Sequence, residues 1–170
     1  MSITIRKVSV EETDEFVECH IKCWQAAYKG IMPDDFLNSM PSNHEKIAEL
    51  FRQGINESCG YEYCCVIYNG KMIGKLGFSK CLDDDKTGAG EIHAIYLLDD
   101  YWDKGYGRQL MEFAMENLKE MGFREIVIWL LDENSRARRF YEKFGFEADG
   151  TTKEIDLSET LIEIRYVLTI

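Results

Sequence analysis

The chain has 170 residues, 45% apolar and 30% charged, which suits one soluble domain with a real core. No apolar run reaches the ~18 residues a membrane span needs. The N-terminus, Met1-Ser2-Ile3-Thr4-Ile5-Arg6-Lys7, lacks a signal-peptide core, so a cytoplasmic protein without a membrane partner is expected. The net charge of −11 argues against nucleic acid as a general partner.

In chain order, Ile3 to Val8 alternates and reads as a strand. Ser9 or Thr13 caps a helix carrying Phe16, Cys19, His20, Cys23, Trp24, Ala27 and Tyr28, which Gly30 ends. Pro33 starts a short helix through Leu37 and Met40. Ser42 or Asn43 caps another, through Ile47, Leu50 and Phe51, ending near Gly54. Glu62 to Tyr68 and Lys71 to Ser79 flank Asn69-Gly70, a strong hairpin signal. Cys81 to Gly90 reads as a mobile loop, and Glu91 to Leu98 as the next strand. A helix after Gly107 turns Leu110, Phe113, Ala114, Leu118 and Met121 inward and stops at Gly122. Ile126 to Leu131 is a strand buried on both faces. Asn134 or Ser135 caps a helix with Ala137, Phe140, Tyr141 and Phe144 inward, and Gly145 ends it. Strands near 146–155 and 159–169 close the chain. The order of the main elements is β-α-α-β-β-β-α-β-α-β-β, one mixed α/β domain over 1–170 without linker or repeat.

None of the six cysteines forms a C-x-x-C pair, so buried reduced thiols are expected, with no metal site. Charge is uneven. Residues 104–143 hold eight basic and seven acidic residues, a net of +1 that leaves −12 on the rest. An anion suits that segment and a cationic substrate suits the remainder, or the acidic charge serves solubility alone.

The stretch Tyr101-Trp102-Asp103-Lys104-Gly105-Tyr106-Gly107-Arg108 lies between a strand and a helix. Glycines let backbone approach an anion, and the first N–H groups of a helix have no internal partner. Leu110 stands where a dinucleotide fold wants its third glycine. Arg108-Gln109 stands where a P-loop wants Lys-Ser/Thr.

Glu91-Ile92-His93-Ala94-Ile95-Tyr96-Leu97 followed by Tyr101 to Arg108 resembles the cofactor signature of the GNAT superfamily of acetyl-CoA-dependent N-acetyltransferases, Q/R-x-x-G-x-G/A between a strand and a helix. Asn134-Ser135 with Phe140-Tyr141-Glu142-Lys143-Phe144-Gly145-Phe146 resembles the later block of that superfamily. The resemblance implies the GNAT fold: a mixed, mostly antiparallel sheet of about seven strands flanked by helices. It places a cofactor core near 88–146 and a variable acceptor side near 1–60. Trp102 departs from the signature by standing in the Gln/Arg slot, and Asp99 stands where many members have proline. Trp129 sits where some members carry a catalytic glutamate.

By the same resemblance, backbone groups of Ile95, Tyr96 and Leu97 hold the pantetheine arm. Trp102, Asp103, Lys104, Gly105, Tyr106, Gly107 and Arg108 cradle the pyrophosphate, and Asn134 bonds the arm or caps its helix. Tyr141 protonates the leaving thiolate. A thiol at ~8.5 and a phenol at ~10 are nearly balanced for that transfer. An ammonium at ~10.4 costs about 4.6 kcal/mol to deprotonate at pH 7, so a base is wanted. Glu91 is the candidate, matching the histone-type catalytic glutamate, and strand alternation places Glu91, His93 and Ile95 on one face. His93 relays or substitutes. Trp24, Tyr28 and Phe36 form an aromatic acceptor wall or pack as core. The implied activity is direct acetyl transfer from acetyl-CoA to a primary amine, with a cationic acceptor mildly favoured and a homodimer open. The other reading is a non-catalytic acyl-CoA sensor.

Overall fold

A computed structural model of the chain describes residues 3–57 and 60–170. Seven strands form one sheet: β1 (Thr4–Lys7), β2 (Glu62–Tyr68), β3 (Lys71–Lys80), β4 (Gly90–Leu97), β5 (Glu125–Leu131), β6 (Glu147–Asp156) and β7 (Thr160–Thr169). Their spatial order is β1-β2-β3-β4-β5-β7-β6. Every pairing is antiparallel except β4 with β5. Five helices flank the sheet: α1 (Thr13–Ala27), α2 (Asp34–Ser39), α3 (His44–Glu57), α4 (Tyr106–Glu120) and α5 (Ser135–Glu142). The six-residue α2 stands on its own, so three helices rather than two separate β1 from β2.

Each sheet face has its own helical cover. On one face, Met111, Ala114 and Leu118 of α4 and Tyr141 of α5 bury Leu76, Phe78, Ile92, Ile126, Ile128 and Leu130. On the other, Phe16, Cys19 and Cys23 of α1 pack on Cys65 and Met72. The α4 stripe is as expected at Leu110, Ala114 and Leu118, with Phe113 packed on the same core, and differs at two methionines. Met111 is fully buried, whereas Met121 is exposed just past the helix end. The five described cysteines are buried free thiols; Cys59 lies outside the described residues.

Three local expectations are corrected. The third helix does not stop at Gly54 but runs to Glu57. Gly54 serves close approach instead: a Cβ there would fall 2.5 Å from the Tyr63 hydroxyl. The segment after β3 is not a free loop. Arg165 of β7 reaches Asp85 at 2.6 and 2.7 Å and Asp83 at 3.0 Å, pinning it. Finally, β4 carries a bulge. Gly77 faces Ala94 while Phe78 faces Ile92, so the register slips at His93. The slip breaks the alternation. Glu91 and His93 share one face, but Ile95 rejoins Ile92 against the α4 cluster.

Candidate active site

Pairing of β4 with β5 covers only Gly90↔Ile126 and Glu91↔Val127. Beyond that the strands splay, and the β5-facing edge of β4 has no strand partner for its N–H and C=O groups. The gap is a cavity of about 620 Å³ walled by β4 from Ile92 to Leu97, by Trp129 and Leu130, by the loop before α4, and by α5. An extended polar chain can dock on such an edge as an added strand.

The loop at one end of the cavity is shaped for an anion. Asp103 and Gly105 take left-handed backbone, φ +56° and +82°. A Cβ at Gly105 would meet nothing within 4 Å, so glycine there serves conformation, not space. The next residue opens α4 and aims its unpaired N–H groups outward. Trp102 has a structural job: its indole N–H donates to Leu97 O at 2.8 Å and ties the loop to the end of β4. Over the ring face, 4.2 Å from its centre, lies the guanidinium of Arg136 from α5. Arg136 also reaches the Asp103 carboxylate at 3.2 Å. Arg139 and Lys143 add positive charge to the same wall.

At the other end sits a hydrogen-bonded chain. His93 Nδ1 lies 3.0 Å from Glu91 Oε1, and His93 Nε2 lies 2.7 Å from Ser79 Oγ. The Ser79 hydroxyl donates onward to Lys80 O at 2.7 Å. Tyr61 stacks on the imidazole, 4.7 Å between centroids. His93 lines the cavity and Glu91 stands behind it, 8% exposed. Burial alone pushes the Glu91 carboxyl up, but hydrogen bonds from His93 and Cys81 and the nearby Lys153 charge outweigh it and hold it below the ordinary value.

Tyr141 enters from α5, buried and lining the cavity. Burial pushes its phenol above the ordinary value, so it is a proton carrier at neutral pH. The Asn134 side chain accepts from Ala137 N–H at 3.0 Å, capping α5, and also lines the cavity. Tyr28 closes the α1 side and bonds Tyr96 through their hydroxyls at 2.5 Å.

The acetyltransferase (GNAT) family model matches residues 14–146. The chain belongs to the GNAT acetyltransferase family. An uncharacterized N-acetyltransferase of Archaeoglobus fulgidus is 37% identical over 81% of this GNAT chain and 88% of its own. A spermidine N(1)-acetyltransferase of Thermoplasma acidophilum is 24% identical over 98% of this chain and 99% of its own. Among solved structures, the PaiA N-acetyltransferase of Thermoplasma acidophilum, in complex with coenzyme A, superposes with a TM-score of 0.76. It is 23% identical and covers 96% of this chain and 98% of that one, which supports the GNAT fold.

Of the residues expected at the site, this GNAT cavity gathers Tyr28, His93, Ile95, Tyr96, Leu97, Trp102, Asp103, Gly105, Gly107, Arg108, Asn134 and Tyr141. Five stand outside its wall, Phe36 among them, packed beside Trp24 at 6.5 Å between ring centres. Glu91 backs His93. The Lys104 ammonium sits 5.6 Å from the Tyr101 ring centre, and Tyr106 packs on Tyr68 and Tyr101. Trp24 packs among His20, Tyr28 and Tyr96, its indole N–H buried without a hydrogen-bond partner among the described residues. Arg136, Arg139, Phe140 and Phe144 were missed. The +1 balance of their segment was the available signal for the arginines.

No helix among the described residues is long and apolar enough to cross a membrane. No group of His, Cys, Asp and Glu side chains among them is placed to hold a metal ion.

Proposed function

We propose that the splayed cleft binds acetyl-CoA and that the protein moves its acetyl group directly to a primary amine. One observation carries this reading: the Glu91-backed His93 and the protonated Tyr141 phenol line the same cavity, at the mouth of an unpaired strand edge. The cavity suits the co-substrate. The free edge of β4 matches an amide-bearing arm, and the left-handed loop with Arg136 matches a pyrophosphate. Acetyl-CoA supplies the activated acyl thioester.

The residues divide the proton work. A proton leaving the acceptor reaches His93 through water: Nδ1–H stays bonded to Glu91, and Nε2 takes the proton in exchange for its contact with Ser79. The amine nitrogen bonds to the acyl carbon and the C–S bond breaks. Tyr141 donates a hydrogen bond, and then its proton, to the departing sulfur. Its raised pKa makes full transfer uphill, so hydrogen-bond stabilisation of the developing charge comes first. Among the described residues no cysteine lines the cavity, which favours transfer without an acyl-enzyme.

The acceptor class follows from charge and from relatives. Acidic residues dominate outside the cofactor segment, and two relatives are named as polyamine acetyltransferases, at 24% and 21% identity. A cationic amine of the polyamine kind is the acceptor we favour. Isothermal titration with acetyl-CoA, CoA and desulfo-CoA tests the cofactor reading: all three bind on this account, and failure of all three to bind would sink it.

A further inference from the structure

Beside the acceptor end of the cleft, one ammonium is already bound. It belongs to Lys153 on the edge strand β6. Its Nζ lies 4.0 Å from the centre of the Trp129 ring and 3.0 Å from Glu163 Oε2. Trp129 lines the cleft. The Glu163 side chain is 19% exposed, and its charge acts on the phenols of Tyr28 and Tyr96 across the cleft wall. The Lys153 charge is felt in turn by Glu91. A ring face plus a carboxylate is the chemistry that holds an ammonium.

The local charge leaves that ammonium replaceable. Asp83, Asp85 and Asp149 all converge on Arg165, and Asp83 also accepts from the Trp129 indole N–H at 3.1 Å. With Glu163 they make four carboxylates against two cations. Losing Lys153 from the cluster would leave four against one. Lys153 itself is loosely held: its side chain is 46% exposed on a flexible stem, and a cross-strand pair of this kind is worth roughly 0–1 kcal/mol. Another cation arriving on a long substrate can take its place at little cost.

We propose that the Trp129 face and the Glu163 carboxylate form a subsite for the second ammonium of a di- or polycationic acceptor, with Lys153 as a built-in occupant that the acceptor displaces. This deepens the amine-transfer reading and rests on it. It makes Lys153 a competitor, so removing its charge tightens binding of a dication instead of weakening it. A merely structural cross-strand pair predicts no such gain.

The test is titration of CoA-saturated protein with spermidine and, in parallel, with butylamine, whose single ammonium cannot span both positions. The Lys153→Met variant is expected to bind spermidine roughly five- to tenfold tighter than wild type, and Glu163→Gln roughly five- to tenfold weaker. Butylamine should shift by less than about twofold in either. The proposal is overturned if Lys153→Met binds spermidine no tighter than wild type, if butylamine shifts as much as spermidine, or if wild type and Lys153→Met both ignore spermidine. Thiol release from acetyl-CoA with either amine reads the amine-transfer proposal separately. Turnover with flat variants removes the subsite alone, and the expected binding pattern without turnover removes the transfer reading alone.

Discussion

The guanidinium of Arg136 lies 4.2 Å over the ring of Trp102, and the two residues come from different elements. Trp102 fills the position where related signatures carry Gln or Arg, and the stacked Arg136 brings a guanidinium back to the same loop from α5. Arg136→Ala should therefore weaken acetyl-CoA binding by roughly tenfold, the scale of one charge-assisted contact. Trp102→Gln in that background should recover part of the loss, because a polar side chain then stands at the loop again. Titration of the two single variants and the double variant checks it; additive losses would show that the two residues do not share this task.

Tyr141→Phe should lower turnover by roughly 10²-fold while leaving the acetyl-CoA dissociation constant within about twofold. The ring keeps its packing against Phe140 and Phe146, so only the hydroxyl is lost. Steady-state kinetics and titration on one preparation separate the two effects. Equal loss in binding would make Tyr141 a packing residue.

Glu91→Gln removes the carboxylate that holds His93 and should cut kcat/KM at pH 7 by roughly 10- to 10²-fold. The defect should shrink as pH approaches ~10.4, where about half of the acceptor amine is neutral and needs no base. A pH–rate profile parallel to wild type would remove Glu91 from the proton path. His93→Gln should show the same convergence if the pair works as one unit.

Lys75 makes a prediction about stability. Its ammonium is buried, 2.8 Å from His20 Nδ1, with no carboxylate ion pair among the described residues. Burial lowers its pKa to about 8, and burial beside Lys75 lowers that of His20 to about 2. Below pH 8 Lys75 is protonated folded and unfolded, so it imposes a constant penalty. Between about 8 and 10.5 the folded protein has released the proton and the unfolded chain has not, so its contribution to stability rises with pH. The span corresponds to about 3 kcal/mol at most, partly offset by the ring faces of Phe51, Phe16 and Tyr96. Lys75→Met should thus stabilise at pH 7 by on the order of 1–3 kcal/mol, and the advantage should fade above pH 10. Denaturation of both proteins across pH 7–10.5 reads the difference; a constant gap would contradict it.

Much of this was legible in the sequence where interactions are local. Asn69 and Gly70 take positive φ, as the hairpin signal required, and Asn134 caps α5 as its side chain suits. The glycine turn, Tyr141 and the strand before the turn fell on the cavity because spacing carries them. What stayed hidden is long-range. Gly54 reads as a helix stop until Tyr63 is seen above it. The bulge at His93 depends on β3, whose register no window of β4 reveals, and it alone reverses Ile95. Arg136 on Trp102 and Lys153 on Trp129 join residues 34 and 24 positions apart. The Arg165 clamp joins residues 80 apart and turns an expected loose loop into a fixed wall.

Direct acetyl transfer from the cleft to an amine makes products that can be weighed. Its most direct test is to incubate the protein with acetyl-CoA and a panel of polyamines, amino acids, aminoglycosides and N-terminal peptides, following thiol release and the mass of both products and protein. Thiol release should match acetylated amine one for one, with polyamines preferred and the protein itself unacetylated during turnover. Thiol release without any acetylated amine, or an acetylated protein that forms and decays at the turnover rate, would contradict it.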